Sequence, residues 1–142
     1  MNADDKRLCF VYGALALAAL VGTWSQNLMF MLEPGNDSAV DFIEASLANR
    51  ASTSLTIDLL LLGVAAFVFM DVERKRLGIK YYWLYVFASF LIAVSVTFPL
   101  FMIARQRRIA ALRETGAAVL LALALLFGTS SAQAQPQPYA IT

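Results

Sequence analysis

The chain has no histidine and a single cysteine, Cys9. Haem, zinc, copper and iron–sulfur centres draw largely on imidazole and thiolate ligands, so no self-supplied site of those kinds, and no other metal or cofactor, is expected. One cysteine forms no internal disulfide, and Cys9, at the start of an apolar run, reads as a small packing residue. A Ser or Thr nucleophile would lack a histidine base. Charge is also scarce: 15% of the 142 residues are charged and 60% are hydrophobic, whereas soluble domains lie nearer about a quarter and a half. The net charge of +1 provides no global field for nucleic acid, and no basic, aromatic-studded face suggests such a partner.

Uncharged sequence is what the chain has in abundance. Residues 8–24, "LCFVYGALALAALVGTW", carry no charge and reach about 26 Å at 1.5 Å per residue, enough for a hydrocarbon core. Two further spans are predicted over 53–70 and 81–104, and the short link between them, "DVERKRLGIK", implies an antiparallel hairpin. Pro99 denies the Ser95 carbonyl its usual donor and predicts a kink there. In the first loop, "EPGNDS" stacks turn formers, after which Ser38 and Asp41 stand at the positions of a capping box. Val40, Ile43 and Leu47 then share one side, which predicts a short interfacial helix over 38–49.

The last segment runs from a basic stretch, "RQRRIAALRETG", to a twelve-residue apolar core, "AAVLLALALLFG", and then to Ala132, Gln133 and Ala134. That order resembles a secretory signal, although such signals stand at the N-terminus. A core of about 18 Å is short for a span, so 116–131 is expected as a marginal fourth membrane helix and 132–142 as a disordered tail. The expected fold is therefore all-α, a multi-pass integral membrane protein forming one membrane domain over 1–142.

Alternating spans leave the orientation open. With the N-terminus inside, Lys6, Arg7, Arg74, Lys75, Arg76 and Lys80 share one side, and Arg50, Arg105, Arg107, Arg108 and Arg113 share the other, a six-to-five split that the positive-inside rule does not resolve. Arg50, Arg105, Arg107 and Arg108 are accordingly candidate contacts for anionic lipid or a partner subunit. Asp58 stands about two turns into the second span, where an ionised acid is expensive unless shallow, protonated or paired. Ser54 lies one turn earlier on the same face, and folding the hairpin about Arg76 brings Asp58 level with Ser95. Ser54, Asp58, Ser95 and Thr97 are thus expected to line a polar seam between the second and third helices. The seam reads either as interhelical glue or as a protonatable or solute-binding site. Glu73, with Arg74 and Arg76, reads as a solvated local ion-pair set.

The pieces "FIEASLAN", Ser52 or Ser54, Asp58, "ERKRLG", Trp83, Ser95 and "FPLFMIAR" resemble an uncharacterised family of short bacterial multi-pass membrane proteins, domain of unknown function 2834, over residues 42–105. The resemblance implies membrane residence, in bacteria the inner (cytoplasmic) membrane, and the helical hairpin; no activity comes with it. No catalytic pair is visible, because Asp58 lies about 20 Å of helix rise from Asp71 and Glu73. The sequence thus favours a noncatalytic accessory or assembly subunit, partnered by the lipid bilayer and by another membrane protein or copies of itself. A small oligomeric transporter or ion-linked channel using Asp58 and Ser95 is the alternative, and a membrane lipid or isoprenoid enzyme a weaker one.

Overall fold

The computed structural model describes residues 1–36 and 38–132, with side chains as far as residue 127. Among these residues the regular elements are helices: α1 (Ala3–Leu32), α2 (Ala39–Ser46), α3 (Arg50–Leu77), α4 (Tyr82–Leu91) and α5 (Val94–Ala132). Three of them, α1, α3 and α5, are long and apolar enough to cross a membrane. The all-α, multi-pass class expected from the sequence is the class observed. Asp37 and the tail, including Gln133 and Ala134, lie outside the described residues.

Local chemistry explains the helix starts. Asn2 caps α1 and forms a capping box with Asp5, and Ser38 does the same for α2 with Asp41. Asn49 caps α3 by accepting from the Ala51 and Ser52 amides. Each cap satisfies amides that otherwise have no intrahelical partner. At the other end of α3, Gly78 adopts the left-handed conformation (φ 65°) that stops the helix, a conformation that costs residues with a Cβ.

The contacts set the directions of the helices. Asp5 meets Gln106 and Arg113, while Gly13 stands against Ile103, so α1 runs antiparallel to α5. Phe69 packs on Phe98, Glu73 binds Arg105 and the Leu77 carbonyl receives Arg108, so α3 and the first half of α5 run parallel. Parallel neighbours in sequence require a return path, and α4 supplies it. Over ten residues, about 15 Å, it runs back beside α3 and α5. The chain then reverses at Ile92 and Ala93.

This reversal corrects the single helix expected over 81–104. A continuous helix would hold Tyr85 and Phe101 about 24 Å apart, yet their rings meet at 5.5 Å, edge to face. The kink expected at Pro99 is not where the chain turns: Pro99 lies inside α5, and the break falls at 92–93. Two causes converge there. "IAVSVT" is rich in β-branched residues, whose restricted χ1 makes them modest helix formers. Folding back also assembles a core of Met70, Tyr82 and Phe101, with Phe67, Tyr85 and Phe98 packed around it. The basic link expected to separate a fourth helix over 116–131 is itself helical; Arg105 to Phe127 continue α5 without interruption.

Candidate functional site

The hairpin brings three charged stretches to one end of the molecule. These are the N-terminus of α1, the C-terminal turns of α3 and the middle of α5. Ten of the eleven basic residues gather there, with Arg50 alone at the opposite end of α3. The six-to-five split followed from treating 81–104 as a full pass. Because α4 turns back, Arg105, Arg107, Arg108 and Arg113 lie on the side of Arg74, Lys75 and Arg76.

Within this ionic end, Glu73 is the most enclosed acid of the α3–α5 contact, at 5% exposure. It accepts from Arg105 Nε at 2.5 Å and from Arg76 Nη1 at 3.2 Å. Arg105 also lies over the Phe69 ring at 5.9 Å. Glu73 is therefore a buried interhelical tie rather than the solvated local set expected for it. Asp71 holds Arg74 and Lys75, and Arg74 in turn lies 4.6 Å from the centre of the Tyr82 ring. On the other flank, buried Asp5 accepts from Gln106 Nε2 at 2.7 Å and pairs with Arg113 at 3.6 Å, while the terminal amine meets Glu114. Asp5 thus caps α1 and ties it to α5 with one carboxylate. Its signal was present as Asn2 and Asp5 at capping-box spacing; its second task depends on a residue 101 positions away.

The four seam residues divide among different environments. Ser54 and Asp58 are exposed on α3, and among the described residues Asp58 has no hydrogen-bond or ion-pair partner. Ser95 lines a cavity of about 370 Å³ between α3 and α5, with Leu59, Leu62, Ala66, Phe69 and Phe98 among its walls. Ser95 is the only polar side chain in that lining, so the space suits a hydrocarbon better than an ion. Thr97 is buried against α4, where its hydroxyl bonds Ser89. Either hydroxyl can be the donor, because Ser89 also reaches the Tyr85 carbonyl and Thr97 the Ala93 carbonyl. This Ser89–Thr97 pair is the polar contact that sequence reasoning missed, because it exists only once the helix is broken between the two residues. Of the four basic candidates, Arg105 is committed to Glu73, Arg107 and Arg108 face a cavity beside Gly78, and Arg50 stands at the far end.

Long apolar helices, a hairpin that turns back before completing a pass and ion pairs gathered at one end define a helical membrane-embedded protein. The family model described as "Protein of unknown function DUF2834" matches residues 11–107, and the chain belongs to that family. The match is wider than the resemblance over 42–105 and takes in most of α1. It includes Glu73, Ser89, Thr97 and Arg105, while Asp5, Arg108 and Arg113 lie outside it. No curated protein and no solved structure matches the chain.

Proposed function

We propose that this chain is a noncatalytic assembly subunit that packs in the membrane against another membrane protein or copies of itself. The observation that carries this reading is Asp58. It lies on α3 about 20 Å from the ionic end, outward-facing and unpartnered among the described residues. An acid at membrane depth is normally turned into a bundle, paired or wetted; a neighbouring helix offering a donor would meet that need. The hairpin tip supports the same conclusion. Phe90 and Leu91 are 78% and 77% exposed, and Ile92 to Val94 are only half-buried, whereas irregular backbone at membrane depth is tolerated where protein or a water-filled cavity shields it.

Native mass spectrometry from mild detergent tests the proposal. A defined assembly, either homo-oligomeric or with a second polypeptide, is expected, and Asp58→Asn should weaken it. A monomer that keeps its fold and is unaffected by that substitution would refute the reading.

The discontinuous α4–α5 pair favours one second reading, an oligomeric transporter, since broken helices at mid-membrane recur in transport proteins. Proton or ion flux through reconstituted homo-oligomers, abolished by Asp58→Asn, would select it.

A further inference from the structure

We infer that Lys80, Arg107 and Arg108 form a binding site for the phosphodiester of an anionic lipid headgroup. They share a cavity of about 490 Å³ between the α3–α4 turn and one side of α5, whose walls include Gly78, Ala104 and Ala111. The space is open to the surface, and Lys80, Arg107 and Arg108 are all exposed in it, so a headgroup can enter from the side.

The charges in this cavity are unbalanced. No carboxylate lines it, and the acids of the ionic end are engaged elsewhere: Asp71 with Arg74 and Lys75, Glu73 with Arg105 and Arg76, Asp5 with Gln106 and Arg113, Asp4 with Arg7, and Glu114 with the terminal amine. Among the described residues, Lys80, Arg107 and Arg108 make no ion pair. Cations brought together without an acid repel one another, and an anion between them relieves the repulsion.

The site is also partly organised in advance. Arg108 Nε donates to the Leu77 carbonyl at 2.9 Å, where the C-terminal end of α3 favours a cation. A Cβ built on Gly78 would stand 3.5 Å from Arg108 Nη2, in ordinary contact, so the guanidinium lies directly beside the α3 stop. With Nε committed, the terminal nitrogens remain as donors in the planar geometry that suits phosphate oxygens.

Depth identifies the source of the phosphate. Tyr81 and Trp83 flank the cavity in sequence and are both exposed, as aromatic side chains at the headgroup level are. Basic pockets beside membrane helices are recognised positions for anionic headgroups. The site does not require that a partner cover α3 or the hairpin tip, so it stands apart from the assembly reading.

The test uses the full chain in nanodiscs of phosphatidylcholine with or without phosphatidylglycerol, and reads retained lipid by native mass spectrometry. Preferential retention of phosphatidylglycerol is expected. Lys80→Gln with Arg107→Gln should weaken it by roughly fivefold per charge removed. Both side chains are exposed, so circular dichroism should show the fold unchanged. Lys6→Gln with Arg7→Gln removes the same charge from the same end outside the cavity and should leave the preference intact. Equal retention of the two lipids, equal loss in both variants, or loss of the retained phosphatidylglycerol on adding inorganic phosphate would each overturn the assignment.

Discussion

The ion pair between Glu73 and Arg105 allows a quantitative test of how the helices are tied together. An exposed pair contributes about 0–1 kcal/mol, and breaking a fully buried one by removing a single partner costs about 3–5 kcal/mol. This pair is asymmetric: the Glu73 side chain is 7% exposed and that of Arg105 23%. Arg105→Gln strands the more enclosed charge with only Arg76 for company, for an expected loss of about 2–3 kcal/mol, between those limits. Glu73→Gln strands a cation that keeps its contact with the Phe69 ring and has a long side chain able to reach headgroups, so about 1–2 kcal/mol is expected. The double variant leaves two neutral amides able to bond each other. It should be less destabilised than the sum of the single losses by about 1 kcal/mol or more. Unfolding free energies measured by titrating sodium dodecyl sulfate into mild-detergent micelles provide all three values. Additivity within about 0.5 kcal/mol, or a larger loss for Glu73→Gln than for Arg105→Gln, would refute the reasoning.

Three further outcomes are expected. On a Cys9→Ala background, single cysteines at Arg76 and Ala111 should react with an impermeant maleimide from one side of the membrane and a cysteine at Ala48 from the other; position 111 reacting together with 48 would restore a full pass over 81–104. By the positive-inside rule, the side from which 76 and 111 react is expected to be the cytoplasmic one. Gly78→Ala should lower stability by roughly 1–2 kcal/mol, the cost of a Cβ in the left-handed region, in the same detergent titration; an unchanged midpoint would mean that α3 ends by another route. Thr97→Val removes the bond to Ser89 while nearly preserving shape and should cost about 0.6 kcal/mol and at most about 1.7, the mean and maximum for hydrogen bonds between membrane helices, whereas Ser95→Ala, at the cavity wall, should change stability less.

The parts of the fold that were legible in sequence are those governed by neighbours along the chain. The uncharged runs of α1 and α3 and the box formed by Ser38 and Asp41 follow from local propensity and capping, whereas α3 continues past the expected end at 70 to its stop at Gly78. Pro99 shows the limit of that reasoning. It marks a lost backbone donor, yet α5 continues through it, and the chain turns instead where "IAVSVT" meets a tertiary reason to fold back. The acids show the same limit. Glu73 resembled any acid in a basic link until α5 brought Arg105 to it, and nothing near Asp5 in the chain marks Gln106, 101 positions away, as its partner. Among the seam residues, the helical spacing of Ser54 and Asp58 was readable, but the face they would present depended on where α5 packed.

By itself, the sequence determined that this is a helical protein of the membrane and that its metal chemistry is restricted, because partitioning depends on runs of apolar residues and ligation on the residue types available. Tertiary structure alone decided that α4 turns back, that ten basic residues share one end and that Glu73 is a buried tie. Each of these rests on contacts between residues far apart in the chain, and such contacts exist only after the helices have packed.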